Sequence, residues 1–348
     1  MAFLALIVST HARVTAMPQD EQEDSVINVV AYFCKGDTMK YSYTHIVGSI
    51  AGNDTTTTGG YTRNSMLVVA DSTSKGYKIE FTPMEVNLVN DKAEHEFDSQ
   101  LQVAMQQALA NIKIKFRTDE CGSIIGIDNW REVKALYIKG VNKALDNLYK
   151  KTPEIETVVP RARFESILSS AMSKEEDVRS CIDELEMLFS LHGNQFKVGS
   201  VSTVDESSGY PVNAKIAAAY ATEEDENLES DEDYIIATVS HVAIPSKDAG
   251  NLIAPIMQSV FSGETAERAS SFMKDSLATY VKDSLVVENM EKYDFFGNGW
   301  PACIASVQIS GFAQKKKMEC KNLEWTYRAW KGFEEDEEET EGNAAAGK

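Results

Sequence analysis

Tyr41, Tyr43 and His45 alternate with Lys40, Ser42 and Thr44 inside Met39 to Ile50. A repeat of two sends successive side chains to opposite faces of an extended chain, so such a stretch folds as a strand with one face in a core and one face wetter. Further strand-like stretches occupy Tyr61 to Ala70 and Tyr77 to Val89, with Asp71 to Gly76 as the turn between them. They return in the second half at Phe196 to Val204, Val212 to Ala221, Tyr234 to Ile244, Val287 to Phe296, Ala302 to Ser310 and Lys317 to Trp330. Strands joined by turns in this way pair as an antiparallel meander. Gly52-Asn53-Asp54 and the threonines up to Gly59-Gly60 read as a long hairpin loop, and Ile27 to Phe33 as a further strand.

Elsewhere the period changes. Leu101, Met105, Ala108 and Leu109 recur at helical spacing, which predicts a helix over 98–110. Ile112, Ile114 and Phe116 return to alternation, Thr118 to Gly122 is a turn, and Ile124 to Ile127 is a strand. Asn129 with Glu132 has capping-box spacing, and Trp130, Val133, Tyr137, Val141, Ala144 and Leu148 then form one stripe of a helix reaching Lys150. Residues 152–162, with Pro153 and Pro160, read as a linker. A helical pair follows. Its second member is expected to start at Ser173, with Glu176 in the capping box. Val178, Ile182, Leu185 and Phe189 form its stripe, and Gly193 is its left-handed stop. Residues 248–262 and 265–286 read as mostly helical.

The two halves carry a faint echo. Gly36-Asp37-Thr38-Met39-Lys40 is matched by Gly193-Asn194-Gln195-Phe196-Lys197, and Gly76-Tyr77-Lys78-Ile79 by Asp233-Tyr234-Ile235-Ile236. The expected fold is therefore α+β: long, twisted antiparallel meander sheets with helices packed on one side, and an internal duplication. The expected organisation is a signal segment over 1–16, a first α+β repeat over 26–151 and a helical linker over 152–192. A second repeat over 193–331 and an acidic disordered tail over 332–348 complete it. The halves either form tandem domains or share one sheet.

Phe3 to Val8 is an apolar run too short to span a bilayer, and Val14-Thr15-Ala16 behind it has the small-x-small form of a signal-peptidase site. Cleavage after Ala16 and a periplasmic or secreted protein are expected; the alternative is an apolar N-terminal strand. No stretch is long and apolar enough for a transmembrane helix. A net charge of −20 opposes binding to nucleic acid or anionic membranes. Much of that charge sits in two acidic blocks, Glu223 to Asp233 and Glu334 to Glu341, which read as solvated segments. Cys34, Cys121, Cys181, Cys303 and Cys320 include no CxxC pair, which argues against zinc and thioredoxin-type chemistry. Cys303 and Cys320 flank Gly311-Phe312 at mirror distances, which brings a cross-strand disulfide into view. Cys181 reads as a small buried hydrophobe.

The motifs that would announce chemistry are missing. His45, His95, His192 and His241 have no metal-ligand partners at the usual spacing, and all four read as structural or surface side chains, His192 as a cation at a helix end. There is no GxSxG, Walker or Rossmann glycine pattern. Gly297-Asn298-Gly299-Trp300-Pro301 reads as a tight turn, with a pocket rim as the alternative. Asp225 to Asp231 lacks the turning glycine and closing glutamate of an EF-hand. Trp130, Trp300, Trp325, Phe295 and Phe296 read as core, with a carbohydrate or lipid site as the alternative. No catalytic, cofactor-binding or metal-binding residue is assigned, and no ligand-binding residue is picked out.

Lys35 to Thr44, Gly76 to Phe81 and Phe116 to Gly122 with Asn129-Trp130 resemble a group of exported proteins from Bacteroidetes-type Gram-negative bacteria. The resemblance covers most of residues 27–200. It implies export and carries no activity. Asp54-Thr55-Thr56, Asp71-Ser72-Thr73 and Asp275-Ser276-Leu277 resemble the O-glycan acceptor tripeptide of such bacteria. Three functions are in view. The first is an exported envelope protein that binds an apolar or amphipathic ligand, or a partner protein, without catalysis. The second is a carboxylate-based hydrolase, and the third is a structural or assembly component of the envelope. An apolar cavity favours the first, two close carboxylates with one raised pKa the second, and a large exposed apolar patch the third.

Overall fold

The computed structural model describes residues 25–89, 97–154, 156, 160–207, 209–222, 225, 228–249, 267, 271, 283–313 and 315–331. The expected signal segment, His95, the acidic tail, Asp275 to Leu277 and nearly all of the helical reading over 250–282 lie outside them.

Eleven strands form one sheet in the order β6-β5-β4-β3-β2-β13-β12-β11-β10-β9-β8. They are β2 (Thr38–Ala51), β3 (Asp54–Thr73), β4 (Gly76–Leu88), β5 (Ile114–Thr118), β6 (Ile124–Ile127), β8 (Gly199–Asp205), β9 (Val212–Tyr220), β10 (Tyr234–Ile244), β11 (Leu285–Phe295), β12 (Pro301–Phe312) and β13 (Lys315–Ala329). Every neighbouring pair is antiparallel. The sheet is a meander in each half, and β2 pairs with β13 at its middle, where the first and last long strands of the chain meet. β1 (Val26–Asn28) and β7 (Gln195–Lys197) make a separate two-stranded ribbon.

Helices α1 (Phe97–Gln107), α2 (Trp130–Lys151), α3 (Arg161–Ala171), α4 (Glu175–Arg179) and α5 (Asp183–Phe189) lie between β4 and β7 in the chain. The sheet face that meets α1 and α5 carries Met39, Tyr41, Tyr43 and His45 of β2, Tyr61, Arg63, Ser65 and Leu67 of β3, and Ile79 and Phe81 of β4, all of them buried. The stripe of α2 falls at Val133, Tyr137, Val141, Leu145 and Leu148, and the first four join the same core. A smaller cluster occupies the other face, where Val307, Met318 and Cys320 pack with Ile46, Ile50 and Met290.

Several expectations need correction. The loop expected over Gly52 to Gly60 is strand. β3 starts at Asp54, which pairs with Ala51, so the turn is only Gly52 and Asn53, with Gly52 in the left-handed region at φ +61°. The β-branched threonines extend the ladder instead of opening it. Ile27 to Phe33 is strand only at Val26–Asn28. Its later amides bond to loops, Val29 to Asn194, Ala31 to Cys121 and Tyr32 to Asn298, although Ile27, Val29, Ala31 and Phe33 are all buried. Asn129 does not cap α2 with its side chain. Its amide oxygen accepts from Lys115 N at 2.9 Å and its nitrogen donates to Lys113 O at 2.9 Å, which ties α2 to β5. The helix expected from Ser173 to Phe189 is broken into α4 and α5, and its capping carboxylate is Asp177, not Glu176. Leu285 and Val286 belong to β11, not to a helix. The echoed segments take different places: Gly36 to Lys40 enters β2 at the sheet's centre, whereas Gly193 to Lys197 enters β7 in the ribbon.

One junction ties the chain's remote parts together. Phe33 stacks on Trp300 with ring centroids 3.8 Å apart, and His192 and Phe189 contact the same aromatic group. A Cβ on Gly299 would lie 2.3 Å from Val30 O, and one on Gly122 would lie 2.5 Å from the His192 ring. Both glycines also hold positive φ, +85° and +100°, so close approach and backbone shape each demand glycine there. Gly297 to Pro301 is thus the tight turn the sequence predicts, but Trp300 inside it is a central core residue.

Candidate functional site

On the helix-bearing face, beyond the edge of the aromatic core, β11, β12 and β13 form a half-open depression of about 200 Å³. Its floor is Asn289 and Glu291 from β11, Ser306 and Gln308 from β12, and Glu319 and Lys321 from β13. The register explains the set. Asn289, Gln308 and Glu319 lie directly across from one another, and so do Glu291, Ser306 and Lys321. Alternation therefore puts all six on one face as two adjacent rows.

The floor is internally bonded. Gln308 Nε2 donates to Asn289 Oδ1 at 3.0 Å, and Glu291 Oε2 accepts from Tyr293 Oη at 3.2 Å and Thr238 Oγ1 at 3.4 Å. Lys321 Nζ sits 3.0 Å from Asp183 Oδ2 and 3.6 Å from Glu319 Oε1. Burial works against the Lys321 charge, but Asp183 and Glu319 outweigh it and raise its pKa. Glu319 accepts from His45 Nε2 at 2.9 Å, and that bond, aided by the charges of His45, Lys321 and Lys317, lowers its carboxyl pKa to about 2 against the opposing effect of burial. His45 Nδ1 faces Gln102 Nε2 of α1 at 3.1 Å. Both ring nitrogens of His45 thus have hydrogen-bond partners.

Next to the depression the polar network goes fully under the helices. Arg63 of β3 makes a two-pronged ion pair with Glu184 of α5, and both side chains are completely buried. Burial disfavours the guanidinium charge, but Glu184 more than compensates and raises the Arg63 pKa. Tyr43 Oη donates to Asp183 Oδ2 at 3.4 Å, and its own pKa is driven far up, chiefly by burial. The chain of contacts runs from Arg63 to the depression through two consecutive residues of α5, Glu184 and Asp183. Paired charges of this kind hold an element in one orientation, because breaking either pair strands a charge.

The histidines are not equivalent. His45 is buried inside the network. His192 is no helix-end cation: it is buried, its Nε2 donates to Gly299 O at 3.0 Å, and burial lowers its pKa to about 4. His241 lies on β10, half-buried. The Cys303–Cys320 disulfide does not form. The β12–β13 hairpin pairs Cys303 with Glu324 and Cys320 with Val307, so the two thiols are four residue pairs apart on one ladder, and all five cysteines are free. Cys181 falls in the break between α4 and α5, half-buried. Phe295, Phe296 and Trp300 are buried core, while Trp130 and Trp325 pack against that core from its margin. In the acidic block, Asp233 is buried and accepts from the amides of Glu229, Ser230 and Gly297, which shapes the turn. Among the described residues no three His, Cys, Asp or Glu are placed to hold a metal ion, and no helix is long and apolar enough to cross a membrane. The depression escaped sequence reasoning because its six residues come from three strands, and only the pairing register shows that they share two rows.

No family model matches the chain, and no curated protein does. Among solved structures, lipovitellin, studied for its lipid–protein interactions, is similar at a TM-score of 0.39 and 9% identity, over 86% of this chain and 26% of that one. Ail, the attachment invasion locus protein of Yersinia pestis, is similar in two structures at TM-scores of 0.15 and 0.14, with 7% and 4% identity, over 85% of this chain and 100% of Ail. At scores this low the likenesses carry no argument.

Proposed function

We propose that the protein is an exported, non-enzymatic binding protein for an amphipathic ligand, with the polar end of the ligand in the depression and its apolar part on the adjoining strand ends. The carrying observation is the layout of one sheet face. Val242 and Val287 pair directly across β10 and β11, and Ile244 and Leu285 do so one row further out. All four are half-buried, and Val287 stands two residues from Asn289 on the same face. Apolar rows therefore meet polar rows edge to edge. A depression lined by Asn, Gln, Ser, Glu and Lys side chains does not suit a purely apolar molecule, which would strip those groups of water. The hydrolase reading has less support. Glu291 and Glu319 do line one depression, but Glu319 is held ionised, whereas a general acid needs a raised pKa.

Export rests on the apolar run Phe3 to Val8 followed by Val14-Thr15-Ala16. N-terminal sequencing of protein recovered from outside the cytoplasm should start at Met17; an intact Met1 on cytosolic protein would remove this part of the reading.

Calorimetric titration with a single-chain C12 zwitterionic amphiphile below its micellar concentration tests the binding. Ser306→Tyr fills the floor and Val287→Asp breaks the apolar row. Each should weaken binding at least about tenfold, or roughly 1.4 kcal/mol, while leaving the melting curve in place. Absence of binding by the unmodified protein, or variants that bind as tightly as the unmodified protein, would rule the proposal out.

A further inference from the structure

The charged side chains on the floor of the depression are not equally matched. Lys321 is shared by two carboxylates, with Asp183 Oδ2 at 3.0 Å and Glu319 Oε1 at 3.6 Å. Glu319 in turn is met by His45, Lys321 and Lys317. Glu291 has no cationic partner among the described residues. Only its Oε2 is bonded, and the partners are the neutral hydroxyls of Tyr293 and Thr238. The register gives the reason. Ser306 of β12 stands between Glu291 of β11 and Lys321 of β13, so the two charges start two strands apart, about 10 Å at the usual spacing. The other open atoms beside Glu291 are acceptors too. Gln308 spends its Nε2 on Asn289, which leaves its Oε1 open. Ser306 Oγ lies directly across the ladder from Glu291 and has no hydrogen bond of its own among the described residues. The floor's donors are Asn289 Nδ2, one row away from Glu291, and Lys321 Nζ, already engaged.

We propose that the depression takes a primary ammonium, so that the ligand is a single-chain amphipath with an –NH3+ end. This rests on the ligand reading given above and names the head group. An –NH3+ group brings three N–H donors and no acceptor, which suits Glu291 Oε1, Ser306 Oγ and Gln308 Oε1. Tyr293 and Thr238 hold the Glu291 carboxylate by its other oxygen, so the group that meets the cation is already fixed. The cation supplies the opposite charge that this half-buried carboxylate lacks, through a charge-assisted hydrogen bond. A quaternary ammonium offers no donor to these acceptors. Sites for it are built from aromatic faces, and none of the six lining residues is aromatic. An anionic head would meet Glu291 and Glu319 at close quarters, on a chain whose net charge of −20 already repels it.

Calorimetric titration of the full chain with dodecylammonium, dodecyltrimethylammonium and the C12 zwitterion, each below its micellar concentration, tests the assignment. Circular-dichroism melts are the folding control. The unmodified protein should bind dodecylammonium at least about tenfold tighter than dodecyltrimethylammonium. Glu291→Gln should weaken dodecylammonium by at least about tenfold. Glu288→Gln removes the same charge from the opposite face of β11 and should change the affinity less than about twofold, which separates the site from the general pull of an acidic chain on cations. Ser306→Ala should weaken dodecylammonium and leave dodecyltrimethylammonium unchanged, and this variant decides if Glu291→Gln fails to fold. A smaller preference between the two cations, or a loss in Glu291→Gln that Glu288→Gln matches, overturns the head group while binding of the zwitterion keeps the ligand reading in place. Absence of zwitterion binding removes the ligand reading and this assignment with it.

Discussion

Strands β2 and β10 share an alternating sequence pattern and meet different fates. In β2, Met39, Tyr41, Tyr43 and His45 are all buried at 0–1% exposure, and the residues between them are half-buried. In β10, burial reaches only Tyr234 and Ile236, and from Ala237 onward the residues are half-buried, with Ala243 exposed. Among the described residues the difference is cover. α1 and α5 reach β2 and β3 through Gln102–His45 and Glu184–Arg63. The outer part of β10 and β11 carries the polar rows and apolar ends that we assign to a ligand. The first region buries its aromatic side chains completely, and the second leaves its side chains half-buried or exposed.

The largest effect that could break this contrast is at the buried ion pair. Glu184→Ala leaves the Arg63 guanidinium buried and unpaired and should cost about 3–5 kcal/mol, whereas Glu291→Gln on the open floor should cost less than about 1 kcal/mol. Urea denaturation of both variants measures the gap; equal losses would show that the two regions are held alike. Next is the aromatic junction. Phe189→Ala should cost on the order of 3 kcal/mol, and His192→Ala should also be clearly destabilising, since His192 is buried against Phe33 and bonded to Gly299. His241→Ala should fall within about 0.5 kcal/mol of the unmodified protein.

His192 also sets a pH dependence. Its folded pKa, about 4, lies below the ordinary value of 6.5. Between those values the unfolded chain binds the proton and the folded chain does not. Stability therefore falls as pH drops from 6.5 toward 4, by roughly 3 kcal/mol in all for a shift of this size. Glu319, with its pKa lowered to about 2, adds a second loss that begins near its ordinary value of 4.5 and runs down to 2. His192→Asn should flatten the first window and leave the second; melts at half-unit steps from pH 7 to pH 3 separate the two. The smallest effect is chemical. Burial raises the Cys303 thiol to about 12, with help from Asp294 and Glu324, so it should resist alkylation at pH 8 while exposed Cys34 reacts. Peptide mapping after a brief iodoacetamide pulse would show equal labelling if β12 were more open than described.

Periodicity made most of the ladder legible. The readings at Met39 to Ile50, Tyr234 to Ile244 and Ala302 to Ser310 match β2, β10 and β12 to within two or three residues at each end, because alternation is a property of neighbours in the chain. The stripe Val178, Ile182, Leu185 and Phe189 was equally visible and all four residues are buried, yet the helix carrying them is interrupted at Ser180 to Ile182. The candidate site was not legible. Asn289, Ser306 and Glu319 are ordinary polar residues on three separate strands, and their meeting depends on which strands pair and in what register.

From the sequence alone follow the antiparallel strands, the helical stretch between β4 and β7 and the excess negative charge, all properties of local pattern and composition. The pairing of β2 with β13, the burial of Arg63 with Glu184 and the neutral, enclosed state of His192 belong to the tertiary structure. So does the separation of Cys303 from Cys320 along the β12–β13 ladder. Each of these depends on contacts between residues far apart in the chain, whose energies come from desolvation and register. Neither quantity exists until the sheet is assembled.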